Sequence, residues 1–398
     1  MGTMYTDKEH LERRKIVRNK LLKGTIGAIT IDTNIFTETG YSLEHGHFKQ
    51  LEQFKGNKFN LIFSDVILME VLGHLSENSV SAKQSLSSAL RLASKSWGFD
   101  RARNQIILDE LMSNRSPESI ANDRLKDFQK RTDYQPIESK PRVDTTELLR
   151  RYFQKLPPFE KSKDKKAEFP DAIALLSLNE WALEKGKEVL VVTKDNGWHQ
   201  FCDEDNKLFS INDLGIALTL IQERDQQSAT QCSQISSLIS AGQYPLLLDA
   251  IETAIADDIW SINWEVDADS SYYFDFELQN VEVISADFEK DGTTIELWAV
   301  DYREGQLVAQ AGIHLEIALE CQFDFEIKDG VDRDMVPAGS ATVAQRQVVE
   351  VEVLLTFSNL ESELPRFVEA EVVPSRRYIH LGLVEPDYGD QNPEDEKY

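Results

Sequence analysis

The sequence predicts an α/β fold for its first half, followed by a mainly antiparallel β domain. Two changes along the chain carry that reading, one in hydropathy period and one in charge. Up to about residue 225, short apolar runs alternate with long helical patterns; after residue 258, apolar and polar residues alternate singly over long spans. Residues 1–225 hold 34 basic and 34 acidic side chains, and residues 226–398 hold 9 and 35, so all of the net charge of −26 belongs to the second half. At 398 residues the chain exceeds one ordinary core, and the change in charge sets the domain boundary at about residue 226.

Taken in order, "MGTMYTDKEHLERRKIVRNK" predicts a charged amphipathic helix without a signal-peptide core. "TIGAITID" (25–32), "FNLIFSD" (59–65) and "EVLVVTKD" (188–195) are nearly continuous apolar runs, each closed by Asp, as strands buried on both faces of a parallel sheet are. Residues 76–156 form a charged helical block with few strand signals, expected as an insertion on the α/β core. The polar, uncharged segment 226–243 is expected as a linker or weak helix. "YPLLLDAIETAIADD" (244–258) predicts one helix, and the alternating stretches from 272, 293, 312 and 341 predict strands with a strongly acidic wet face. The expected organisation is therefore a first domain over 1–225, a linker over 226–243, a helix plus acidic β domain over 244–384 and a disordered acidic tail over 385–398.

No apolar stretch reaches the roughly 20 residues needed to cross a bilayer, so the expectation is a cytoplasmic protein with no membrane partner. Cys202, Cys232 and Cys321 are odd in number and far apart, and are expected as free thiols.

The chemistry is expected where the strands end. In an open parallel sheet, ligands sit outside the carboxyl ends of the strands, near the point where strand order reverses. Asp32 and Asp195 each close a strand and should arrive at that edge. Asp171 follows Pro170 in the first turn of a helix, near the positive end of its dipole. Glu70 falls within the first two turns of a helix that Ser64 or Asp65 can cap. Four carboxylates at close range need compensation, and a hard divalent cation, Mg²⁺ or Mn²⁺, provides it with oxygen ligands. No cluster of His or Cys points to zinc instead. A haloacid-dehalogenase-like phosphatase would need a second Asp two residues after the first, where this chain has Asn34.

The ordered set Asp32-Thr33-Asn34, Glu70, Asp171 and Asp195 after a strand containing Thr193 resembles the PIN domain, a family of metal-dependent nucleases that mostly cut RNA. "KSKDKKAEFPDAIALLSLNEWA" (161–182) is especially similar to longer bacterial PIN-like proteins. The resemblance covers about residues 25–215, less the insertion. It implies a parallel-sheet α/β/α sandwich with Asp32, Glu70, Asp171 and Asp195 as the catalytic metal site, and hydrolysis of RNA, single-stranded rather than duplex.

Around that set, Thr33, Asn34, Thr193 and Glu168 are expected to orient ligands or phosphate, and Lys163 and Lys166 to meet phosphates. Arg150, Arg151, Tyr152 and Phe153 suit backbone contact and stacking but are common on ordinary helices. Trp198 and His199 are expected to be packing residues. The acidic second half is expected to capture a basic protein, to join subunits as a homo-oligomer, or to lie over basic positions such as Lys163, Lys165 and Lys166 and restrain the nuclease. The alternative to an enzyme is a PIN-like scaffold whose acidic domain binds a basic partner, with little nuclease activity.

Overall fold

A computed structural model describes residues 6–159, 168–204, 207–291, 294–303, 305–328 and 334–387. The chain divides into two compact units. The first comprises Met1–Ala229 with Ala299–Glu304, and the second Thr230–Trp298 with Gly305–Tyr398.

The first unit is built on a five-stranded parallel sheet. Its strands are β1 (Ile26–Ile31), β2 (Asn60–Ser64), β3 (Gln135–Ile137), β4 (Glu188–Val192) and β5 (Leu208–Ile211), in the spatial order β3-β2-β1-β4-β5. Every residue of β1 except Gly27 is buried, as is every residue of β4 except Glu188, which is why these segments lack alternation. Helices α1 (Asp7–Leu22), α2 (Thr33–Glu38), α3 (Gly46–Gln50), α4 (Asp65–Trp97), α5 (Arg101–Leu111), α6 (Pro117–Thr132), α7 (Thr145–Gln154), α8 (Phe169–Lys185), α9 (Asn196–Cys202) and α10 (Leu214–Gln222) surround it. α1 begins in a capping box: Glu9 N donates to Thr6 Oγ1 and Thr6 N to Glu9 Oε2.

The chain leaves β1 for β2 on one side and reaches β4 on the other, so strand order reverses between β1 and β4. Such a reversal opens a crevice at the carboxyl ends of the two strands.

The helical block departs from the expected insertion in two ways. Its first helix, α4, begins in the core at Asp65 and runs through residue 76 without a break. The block also supplies β3, which pairs with β2 through Ile62 with Gln135 and Ser64 with Ile137. "QPI" is too short to show a period, and an edge position tolerates its Pro136. β5 escaped notice for the same reason of length.

Residues expected as a linker or weak helix form the helix α11 (Gln226–Ser240), and the division between units falls inside it. Ile235 is fully buried and Cys232 nearly so, which gives a segment without charges a reason to be helical.

In the second unit, α12 (Leu247–Asp257) is followed by β6 (Asn263–Asp269), β7 (Tyr273–Phe288), the two-residue strands β8 (Lys290–Asp291) and β9 (Thr294–Ile295), β10 (Trp298–Arg303, most of which groups with the first unit), β11 (Gln306–Lys328), β12 (Met335–Ser358), β13 (Arg366–Val372) and β14 (Arg376–Leu383). β7, β11, β12 and β13 form an antiparallel sheet. Along β11 every odd-numbered residue from Leu307 to Phe325 is buried, while Glu316, Glu320, Asp324 and Glu326 point to the other face. β14 and β6 add a parallel pair that the sequence pattern did not foretell. Of the expected tail, Asp387 is tied by its N–H to Ser340 O (3.0 Å), and 388–398 lie outside the described residues.

Cys202, Cys232 and Cys321 are buried free thiols, and burial pushes the first two up to about 12. Among the described residues no helix is long and apolar enough to cross a membrane.

Candidate active site

The crevice between β1 and β4 gathers the four acids from four different elements. Asp32 follows β1 directly and is the N-cap of α2, with its backbone N–H on Val192 O of β4 (2.9 Å). Asp195 lies three residues past β4 and is the N-cap of α9. Glu70 stands in the second turn of α4, whose cap is Ser64 accepting from Val66 N. Asp171 is in the first turn of α8. That turn is fixed from behind: Phe169 stacks on Tyr152 (4.9 Å) and Phe159 (5.1 Å), and Leu148 and Phe159 pack on Ala172.

Each acid is held through one oxygen by a neutral donor. Thr193 Oγ1 donates to Asp32 Oδ2 (2.6 Å), Thr33 Oγ1 to Glu70 Oε2 (2.8 Å), Trp198 Nε1 to Asp171 Oδ1 (2.8 Å) and Trp198 N to Asp195 Oδ1 (2.9 Å). The Thr193 hydroxyl itself accepts from Asp195 N (3.0 Å) and Asn34 Nδ2 (3.3 Å). With two donors aimed at its oxygen, its single proton must go to Asp32. Asn34 Oδ1 in turn accepts from Lys194 N (3.3 Å), which ties the start of α2 to the end of β4.

No ion pair among the described residues engages Asp32, Glu70, Asp171 or Asp195. The electrostatic result is strain on the charged forms. Burial pushes the Asp32 carboxyl, only 5% exposed, up to about 8; the Thr193 hydrogen bond opposes this, and the charges of Asp171 and Asp195 add to it. Burial likewise raises Asp171 to about 6, opposed by Trp198 and reinforced by Asp195, Glu70 and Glu168. Glu168 is the N-cap residue of α8, and its side chain makes no capping hydrogen bond.

Carboxylate oxygens alone, crowded and without a cation, are the donor set of a hard divalent ion, and so the residues fit one. Among the described residues no three Asp, Glu, His or Cys side chains converge tightly enough to enclose an ion unaided. Mg²⁺ does not need such a cage, because it keeps several waters and is commonly bound through one or two carboxylates.

Two residues turn out differently from their expected parts. Trp198, expected as packing, is buried but spends its indole N–H on Asp171 and its amide on Asp195, so one residue fixes two of the acids. The signal was present: Trp198 stands three residues after an N-cap Asp, where the backbone N–H meets the cap. In the same "DNGW", Gly197 is a helical residue and not the tip of a turn. A Cβ there would meet Pro158 O at 2.7 Å, so the chain at Pro158 approaches α9 as only glycine permits.

Tyr41 also lies beside the site and was not singled out. Its backbone is left-handed (φ 60°), held by Arg124 Nη2 on its carbonyl (2.9 Å), and its hydroxyl bonds Thr37 Oγ1 (3.0 Å). Burial raises its phenol, and the charges of Glu70, Glu77 and Asp32 add to the effect.

Other expected contacts are committed elsewhere or not described. Arg151 is buried and bonds Glu147, Glu204 and Pro157 O, Arg150 pairs with Glu147, and Tyr152 packs under α8. Phe153 remains exposed. His199 is packing as expected: it is buried against Ser210 Oγ (2.8 Å) and is pushed down to about 3 by burial, Arg13 and His10. Lys163, Lys165 and Lys166 lie outside the described residues.

Comparison with curated proteins gives no match, and comparison with solved structures gives none either. No family model matches the second half of the chain. Residues 29–198 match the family model described as PIN domain. That stretch runs from within β1 into α9 and contains Asp32, Glu70, Asp171 and Asp195, so the likeness to PIN domains covers all four acids of the crevice.

Proposed function

We propose that the chain is a divalent-metal-dependent endoribonuclease, cutting single-stranded RNA at phosphodiester bonds in the crevice between β1 and β4. PIN domains are usually nucleases, which supports the reaction class. The observation that carries the reading is the set of four carboxylates, each oriented by a neutral donor and none paired with a cation among the described residues.

Asp32 and Asp171 would hold Mg²⁺ or Mn²⁺ with help from Glu70 and Asp195, and the ion would there withdraw charge from a phosphodiester and favour in-line attack by water. The chain's own groups set the stage. Thr193 keeps Asp32 facing the crevice, Trp198 aims Asp171 and Asp195, and Thr33 holds Glu70 back from swinging into solvent. Neutral donors suit this task, because a Lys or Arg in their place would supply the positive charge that the ion is needed for. Lys163 and Lys166 remain candidates for phosphate contact, and Glu168 for a nearby supporting acid.

For the second unit we propose a regulatory part, in which its acidic strands take up a basic protein or a second copy of the chain. The balance of 9 basic to 35 acidic side chains over residues 226–398 supports this and repels RNA. The scaffold alternative differs by one experiment. Purified full-length protein should cleave single-stranded RNA only with Mg²⁺ or Mn²⁺, leave 5′ phosphates, and lose the activity in Asp32→Asn. Cleavage by Asp32→Asn at the unmodified rate, or none by the intact protein with either ion, would refute the assignment.

A further inference from the structure

Helix α4 does more than present Glu70. It runs 33 residues, and at 1.5 Å per residue Arg91 lies about 30 Å along its axis from Glu70. The helix ends at Gly98, a left-handed cap (φ 74°), after which α5 returns beside it. Between the two lies a groove of about 730 Å³, lined among others by Leu90, Leu108, Arg91, Lys95, Asn104 and Gln105.

The composition of this arm is unlike that of the rest of the unit. Residues 83–103 contain Lys83, Arg91, Lys95, Arg101 and Arg103 against the single acid Asp100, in a first half whose charges balance as a whole. Among the described residues no ion pair engages Lys83, Arg91, Lys95 or Arg103. The Arg91 guanidinium bonds only its own helix, at Ser87 O (3.3 Å) and Ser88 Oγ (3.1 Å). At the end of α4, outside that lining, Trp97 is 79% exposed, with its ring centroid 6.2 Å from that of Phe99.

The fold has no use for that combination. An exposed indole hides no core, and Arg91 and Lys95, one turn apart on α4, repel one another. A purely apolar partner would have to bury Arg91 and Lys95 without counter-charge, which is costly. Single-stranded nucleic acid meets both features at once, with phosphates for the cations and an unstacked base for the indole face.

We propose that the α4–α5 arm is a second binding site for single-stranded nucleic acid, remote from the crevice, with backbone phosphates at Arg91 and Lys95 in its groove and a base stacked on Trp97 at the end of α4. Its role of gripping the substrate rests on the nuclease reading above; its binding chemistry does not. The groove keeps a long strand on the protein while a distant part of that strand lies among the acids.

The test uses the full chain carrying Asp32→Asn, so that the probe survives, and a fluorescent oligouridylate of about 20 nucleotides, long enough for a grooved site. Trp97→Ala should weaken binding about tenfold, the loss of one stacked base. Arg91→Gln with Lys95→Gln should weaken it similarly and flatten the salt dependence by about 1 to 1.5 in log–log slope. In the chain with Asp32 intact, the same substitutions should leave cleavage of a tetranucleotide unchanged, because so short a strand cannot span from crevice to arm. Unchanged affinity and salt slope in both arm variants would overturn the proposal and leave the nuclease reading untouched. Loss of affinity in a protein that cleaves nothing would support the groove and refute the nuclease. If sedimentation shows instead that Trp97→Ala dissolves a dimer while oligouridylate binding persists, the face belongs to a second copy and the proposal fails.

Discussion

Asp32 and Asp301 are both buried aspartates, 5% and 4% exposed, yet they sit in opposite surroundings. Asp301, on β10, has Arg303 as a partner, with Nε at 2.8 and 2.9 Å and Nη2 at 2.6 Å; burial raises its carboxyl and the guanidinium draws it back down. Asp32, at the end of β1, has a threonine hydroxyl and two neighbouring carboxylates, and is pushed up to about 8. A buried acid with a fixed cation is a closed structural unit. One whose neighbours are neutral donors and other acids is held in place with its charge unanswered, and that difference separates a fold-stabilising aspartate from a candidate ligand.

The difference can be broken most sharply at the acids themselves. Asp32→Asn and Asp171→Asn should each lower RNA cleavage by about a thousandfold or more, since each removes a proposed ligand of the reacting centre. In metal-free buffer neither should destabilise the protein, and melting temperature should hold or rise as repulsion is relieved. Asp301→Asn should do the reverse: cleavage unchanged, and stability lower by about 1–2 kcal/mol as Arg303 loses its partner.

Trp198→Phe tests the neutral donors. The ring still packs and the amide still caps Asp195, but Asp171 loses its indole hydrogen bond. Removing a support of this kind typically costs about 10- to 100-fold in metal affinity or activity. Because that bond lowers the Asp171 carboxyl, its loss should raise the group above about 6, and the acid limb of the pH–rate profile should move to higher pH.

A smaller effect follows from linkage. Asp32 and Asp171 have folded-state values above the ordinary carboxylate value of 3.8, so the native state holds their protons more tightly than the unfolded chain does. Their contribution to stability is complete below about pH 4 and is lost as pH rises through about 6 and then about 8. Melting temperatures in chelator should therefore decline across that window, and Asp32→Asn should flatten the upper part of the decline. At the far end of the scale, Glu320→Gln on the wet face of β11 should change stability by less than about 0.5 kcal/mol.

Much of the site could be read from sequence because its positions are local. Asp32 and Asp195 mark strand ends, and Asp171 follows a proline at a helix start, so residue type and neighbours suffice to place them at one edge. Thr193 and Thr33 drew notice because they flank those acids, yet each donates to another one, Thr193 to Asp32 at 161 positions and Thr33 to Glu70 at 37, pairings that neighbours in sequence do not show. The donor to Asp171 was not legible either, since Trp198 and Asp171 are 27 positions apart and a buried tryptophan is ordinarily core. β3 and β5 were missed because three- and four-residue strands show no period. The long strands of the second unit were plain, because single alternation persists along all of β11, whereas the shorter β6, β13 and β14 were not singled out, and the parallel pairing of β6 with β14, set by residues more than a hundred apart, was hidden.

The central claim is that the unanswered charge at Asp32 is meant for a cation, and calorimetric titration of metal-free full-length protein with Mn²⁺ at pH 7 tests it most directly. An acid near pH 8 must give up its proton to bind a cation, so binding should release about one proton per site, read as a dependence of heat on the buffer's ionisation enthalpy. The account predicts saturable binding with proton release in the intact chain, and its loss in Asp32→Asn but not in Asp301→Asn. Equal binding by the intact chain and Asp32→Asn, or binding without proton release, would contradict it.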